Sequence, residues 1–169
     1  MRGVTIERVA NWGLIVTCVL LSSQTAVSLY QRAFPPKPSF GYSAGDVIQD
    51  SPELGLSKAS VNVLMMTASS CHFCSASMPF YRHLVDVARE SGARVVGVTA
   101  EEPDKNREYL LANGVTVETV ASVRKNSIRL RATPTLVLVR SDGKVMRVWN
   151  GLLNGASEEE VLQSVRRKL

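Results

Sequence analysis

Two cysteines separated by two residues, Cys71 and Cys74, stand where an apolar run (Val61 to Thr67) gives way to a stretch with helical periodicity (Phe73 to about Glu90). The run is nearly continuous in apolar residues, as a strand covered on both faces should be. In the following stretch Phe80, Leu84, Val87 and Ala88 recur at spacings of three to four, with Arg82, Asp86, Arg89 and Glu90 mostly elsewhere. A buried strand that turns into a helix carrying Cys-x-x-Cys in its first turn constrains both fold and chemistry. Peptide dipoles and unpaired N–H groups at a helix N-terminus favour thiolate over thiol, and the thiolate is the nucleophile. The spacing leaves the first sulfur exposed at the tip and packs the second beneath it, which makes Cys71 the attacker and Cys74 the resolver.

The same spacing supplies half of a structural zinc site, which needs four ligands. The remaining candidates are Cys18 in an apolar N-terminal run, His72 inside the pair itself, and His83 further along the same helix. No second ligand pair exists, so no metal is expected. A second feature supports redox chemistry: Thr133-Pro134 immediately precedes the β-branched run Thr135 to Val139. Proline at the entrance to a strand serves an edge, a turn or a cis bond.

With 169 residues, the chain allows one domain plus an appendage, and three cysteines are too few for a disulfide scaffold. Basic residues outnumber acidic ones by 20 to 15, and the excess concentrates between Arg124 and Arg147. No nucleic-acid motif accompanies that charge, which reads as a solvated basic face rather than a nucleic-acid surface. Arg129 and Arg131, close to Pro134, are expected on the rim of a substrate groove.

The N-terminal part reads as a tether. A head with Arg2 and Arg8 precedes an apolar stretch from Trp12 to about Tyr30, long enough to span a bilayer, and no small-x-small cleavage site follows it. Residues 1–31 are expected to be a transmembrane or signal-anchor helix, with a cleaved signal as the alternative. Residues 32–40, with Pro35, Pro36 and Pro38, make an extended spacer, and 41–169 form the folded domain. A tethered dithiol domain fits an oxidising compartment, so the domain is expected on the extracytoplasmic side of the cell membrane.

Within the domain, Arg94 to Thr99 is a second buried strand, and the strand-helix-strand unit implies a parallel pair with a right-handed crossover. Pro103 to Ala112 reads as a helix, Val115 to Val120 as a short strand, and Ser122 to Arg131 as a loop or short helix. Thr135 to Arg140 and Lys144 to Trp149 form a hairpin across Ser141-Asp142-Gly143. Ser157 and Glu160 read as a capping box opening the last helix.

These motifs, in this order, resemble a known family. From about Gly41 onward the chain is similar to thioredoxin-fold proteins, and most to the membrane-tethered TlpA/ResA-type thiol-disulfide oxidoreductases. Gly45-Asp46, Cys71-x-x-Cys74, Met78-Pro79, Thr133-Pro134 and Ser141-Asp142-Gly143-Lys144 carry the match. The resemblance implies an α/β fold, a central mixed sheet flanked by helices, with Pro134 at the family's cis-proline site. It also implies a reductase of extracytoplasmic protein disulfides, for instance those in apocytochromes c. Such an enzyme needs no cofactor beyond its own Cys71–Cys74 disulfide, and exchanges electrons with a membrane donor or acceptor. His72, Phe73, Thr133 and Pro134 are the expected active-site support, the backbone of Thr133 pairing with a substrate strand. The chain departs from its relatives at Ser70, where they carry Trp, at Ser77, where they carry Glu, and at Met65, where thioredoxins carry a buried Asp. Without that acid, and with His72 beside the thiol, Cys71 is expected to have a pKa below the free value of about 8.5. The pair should then have a potential above thioredoxin's roughly −270 mV, which keeps an oxidase or isomerase role open. A partner-binding module with a structural disulfide is the non-enzymatic alternative. A peroxidase would want Thr where Ala68 stands, and a copper carrier a wider cysteine spacing with a distal His.

Overall fold

Val61–Met66 is buried at every position and forms the central strand β1. It pairs in parallel with β2 (Arg94–Thr99) and antiparallel with β4 (Thr135–Arg140). Strands β3 (Thr119–Ser122) and β5 (Val145–Asn150) complete a mixed sheet in the order β3-β2-β1-β4-β5. The computed structural model describes residues Gly41–Lys168, together with Trp12 and Val16 upstream. The anchor expected over 1–31 and the linker over 32–40 otherwise lie outside the described residues. Among the described residues, no helix is long and apolar enough to cross a membrane.

Alternation along β1 sorts the core into two layers. Val61, Val63 and Met65 face the helix side, where they join residues of α2 (Met78–Glu90), α3 (Pro103–Ala112) and α4 (Gly155–Arg167). Leu64 and Met66 face the other side, covered by Tyr42, Ile48, Leu54 and Leu56 of the lead-in and by Ile128 of the loop before β4. A short 3₁₀ turn, Leu56–Lys58, is the only helical piece among the described lead-in residues from Gly41 to Ser60.

The stretch expected as one helix from Phe73 is two. Helix α1 (His72–Ala76) stops at Ser77, and α2 begins there with Pro79 in its first turn. Proline carries no N–H to continue the ladder, so the break falls just ahead of it. Gly92 ends α2 in the left-handed conformation.

Two boundaries differ from the sequence reading, and the stretch read as a loop or short helix takes the first of those forms. Strand β3 begins at Thr119 rather than Val115, because Val115 N–H still bonds Leu110 O to close α3. Residues 123–131 form turns and loop, with no helix. The cap of α4 is Asn154, whose Oδ1 accepts from Ser157 N–H at 2.9 Å, so Ser157 lies inside the helix it was expected to open. Asn caps as well as Ser does, and Glu160 is engaged with Arg147 instead of closing a box.

The β4–β5 turn also anchors the lead-in. Ile48 N–H donates to Gly143 O, and Val145 N–H donates to Asp46 O, each at 2.8 Å. Gly143 has φ +82°, and a Cβ there would lie 2.0 Å from Ile48 O, so any other side chain would push the lead-in away.

Candidate active site

The carboxyl ends of β1 and β2 build the site. Beyond Met66, Thr67 N–H still bonds Val98 O at 3.0 Å, after which Ala68–Ser70 turn away, and Cys71 N–H closes the turn on Ala68 O at 3.1 Å. Cys71 is the N-cap of α1 with extended backbone, and its Sγ accepts the Cys74 N–H at 3.2 Å. A helix of five residues has a small macrodipole, so direct hydrogen bonds to the sulfur stand in for the dipole that the sequence reading assigned to a long helix. The Cys71 thiol also donates to Thr133 O at 3.4 Å. That carbonyl has a second lone pair beyond this contact. The Thr133–Pro134 bond is cis, Pro134 is buried, and its carbonyl accepts from Gly151 N–H.

The two cysteines are free and differ sharply in setting. Cys71 is half-buried and Cys74 is sealed from solvent. Burial opposes ionisation of Cys71, but hydrogen bonding from Cys74, Thr133 and the N–H groups of Cys74 and Phe73 outweighs it and holds the thiol below its ordinary range. Burial first, and then the neighbouring Cys71 sulfur, push the Cys74 thiol up to about 12.

His72 and Phe73, both exposed, pack edge to face with centroids 5.8 Å apart, and neither side chain takes part in the hydrogen bonds on the Cys71 sulfur. Phe73 is 55% exposed, an apolar ring in water beside the reactive sulfur. Met65 and Ser77 are buried where relatives place an acid, and Ser77 Oγ is turned to Phe73 O at 2.8 Å. His83 is exposed on α2. Arg129, half exposed, pairs with Asp46 at 2.6 Å and covers the Tyr42 ring at 4.5 Å, because the lead-in folds back over this loop, and Arg131 is exposed. Among the described residues, no three His, Cys, Asp or Glu side chains are grouped to hold a metal ion.

Sequence reasoning missed a polar cluster beneath the loop that presents Cys71, made by Thr67, Ser69, Glu101 and Asn106. One signal was available: Asn106 shares a helix face with Tyr109 and Leu110, three and four residues on, and it is fully buried with Leu110. Its partner Glu101 is 32 residues from Ser69 and unmarked by any motif.

Comparison with solved structures follows the same lines. A Chlorobium tepidum structure described as a thiol:disulfide interchange protein DsbE aligns with 73% of this chain and 98% of its own, at 25% identity and a TM-score of 0.57. A Bacteroides thetaiotaomicron structure described as a protein disulfide isomerase aligns with 76% of this chain and 92% of its own, at 21% identity and a TM-score of 0.61. StoA from Bacillus subtilis aligns over 73% and 97%, at 17% identity and a TM-score of 0.51. The domain has a thioredoxin fold and resembles DsbE/ResA/TlpA-type thiol-disulfide oxidoreductases. The sequence matches no family model, and no curated protein matches it. The fold and the candidate cysteine pair together support an enzymatic thiol-disulfide function.

Proposed function

We propose that the chain is a membrane-tethered, extracytoplasmic thiol-disulfide oxidoreductase that reduces protein disulfides through Cys71 and Cys74. One observation carries the reading: an accessible sulfur held by the Cys74 N–H, with a buried, strongly protonated thiol directly behind it. The Cys71 thiolate attacks one sulfur of a substrate disulfide and expels the other as a thiolate, forming a mixed disulfide. Covering by substrate leaves Cys74 as the only thiol in line; it loses its proton, attacks Cys71 Sγ and releases the second substrate thiol. The enzyme ends as a Cys71–Cys74 disulfide, two electrons having passed to the substrate. A membrane donor must return them for another turnover.

Phe73 offers an apolar contact for the polypeptide flanking the substrate cysteine, and the resemblance points to haem-site disulfides of apocytochromes c as one substrate class. The test is stoichiometric. Reduced protein mixed with a peptide disulfide should yield two peptide thiols per chain and lose the thiols of Cys71 and Cys74. A dithiol that leaves the peptide oxidised would point to the binding-module alternative. For the tether, protease added to intact spheroplasts should digest the domain; a protected domain would overturn the extracytoplasmic placement.

A second reading has its own support. The same contacts that lower the Cys71 pKa stabilise the reduced form, and that raises the reduction potential toward oxidase or isomerase behaviour. Equilibration with glutathione separates the two: a potential at or below thioredoxin's roughly −270 mV fits a reductase only.

A further inference from the structure

Glu101 lies just past the end of β2, and its carboxylate takes four donors. Ser69 supplies two of them, its N–H to Oε1 at 2.7 Å and its hydroxyl to Oε2 at 2.8 Å. Asn106 Nδ2 donates at 3.0 Å, and the Lys105 ammonium lies at 3.3 Å. Behind them Asn106, wholly buried, accepts the hydroxyl of equally buried Thr67 on its Oδ1 at 3.0 Å. The four side chains thus link the end of β1 through α3 and the segment after β2 back to the residue two before Cys71.

That linkage has a chemical consequence. The sulfur's N-cap contact, at 3.2 Å, needs Cys71 to keep its extended backbone at the end of the Ala68–Ser70 segment, whose turn Cys71 N–H closes on Ala68 O. A weak sulfur hydrogen bond tolerates little displacement. We propose that Glu101 is a positioning residue: by gripping Ser69 with both carboxylate oxygens, it fixes Ala68–Ser70 so that Cys71 Sγ meets the Cys74 N–H. The proposal rests on the reading of Cys71 as the attacking thiol. Burial opposes ionisation of Glu101, but the donors from Asn106, Ser69 and Lys105 outweigh it and hold the carboxyl below its usual range. The grip therefore persists at every pH where the thiol works, and weakens only as pH falls through that lowered carboxyl pKa.

The experiment compares Glu101→Ala, Glu101→Gln and Ser69→Ala in the full chain, following Cys71 alkylation by iodoacetamide in the reduced protein as a function of pH. Glu101→Ala should move the Cys71 titration up by about one unit, so that alkylation below it slows about tenfold. Gln keeps an acceptor for Ser69 N–H and should titrate close to wild type; Ser69→Ala, which loses only the hydroxyl contact, should fall between. A Glu101→Ala titration matching wild type, whatever the melting temperature, would reduce Glu101 to a structural brace. Gln as disruptive as Ala would assign the effect to charge and overturn positioning. Should Glu101→Ala not fold, Ser69→Ala decides, because it leaves the Thr67–Asn106–Glu101 contacts in place; an unshifted titration there overturns the proposal. Alkylation needs no turnover, so a protein inert toward disulfides would defeat the proposed function while leaving this measurement readable.

Discussion

Strands β1 and β2 end in buried polar groups at both extremities, and the two ends use them differently. At the amino end, Arg94 is 7% exposed and directs its guanidinium to Leu54 O and Gly55 O, to Thr119 Oγ1 at 3.1 Å and to Glu118 at 2.8 Å. Asn62, beside it in register, donates to Leu56 O at 2.8 Å and Ala59 O at 3.2 Å. At the carboxyl end, Glu101 and Asn106 gather donors around the loop before Cys71. A cation collecting carbonyls and an anion collecting N–H groups solve the same desolvation problem with opposite signs. The difference is what each end leaves over: at the amino end a buried Asn62 Oδ1 without a hydrogen-bond partner, at the carboxyl end the half-buried Cys71 sulfur, open to reaction. Stability and reactivity should therefore be separable by end.

The sharpest break comes from the sulfurs. Cys71→Ser should abolish exchange with a peptide disulfide, while Cys74→Ser should accumulate mixed disulfides visible on a non-reducing gel. Faster alkylation of Cys74 than of Cys71 in the reduced protein would invert the roles. At the opposite end, Arg94→Met strands the buried Leu54 carbonyl, while Gly55 O keeps Lys58 N–H, and should cost about 2 kcal/mol in denaturant unfolding. Cys71 alkylation should be unchanged by it; a shifted thiol titration would mean that the two ends are coupled.

The pH dependence sharpens the contrast further. Cys71 has a lowered folded pKa, so its thiolate contributes stability to the reduced protein above the unfolded thiol's value of about 8.5. That contribution falls away as pH drops through the lowered folded value. Unfolding of the reduced protein compared with reduced Cys71→Ser across this window should show the difference widening with pH; a flat difference would argue against the lowered pKa. The smallest effect is expected at Arg129. Committed to Asp46 and Tyr42, it should on Arg129→Gln lose at most about 1 kcal/mol of stability and leave exchange with an acidic peptide disulfide unaltered. A slowed exchange would place Arg129 on the substrate rim.

Much of this contrast was legible in the chain and part was not, for reasons that differ by element. Cys71 and Cys74 are ordered by local spacing, so their exposed and buried settings follow from the strand, the turn and the first helical turn alone. β2 and α3 are bounded by Gly92 and by Pro103 to Asn113, residues whose backbone preferences act locally, and both spans match. Pro134 carried its own signal in front of a β-branched run. The cap of α4 was misread because Asn154 and Ser157 both satisfy the pattern, and only the approach from β5 selects between them. The pairing of Arg129 with the lead-in went unseen because its partners are more than eighty residues upstream. Glu101 escaped for the same reason: no periodicity links it to Ser69, and the contact exists only once β1 and β2 lie side by side.

The bond from Cys71 to Thr133 O joins residues 62 apart, across strands that pair only in the assembled sheet. A nascent chain lacks that bond and also the folded first turn of α1, whose Cys74 N–H favours the thiolate. Its nucleophilicity matures with the fold. Such a chain can pass through an oxidising environment during its own folding with little tendency to react out of turn, and its thiol reactivity becomes a clock for the completion of its fold.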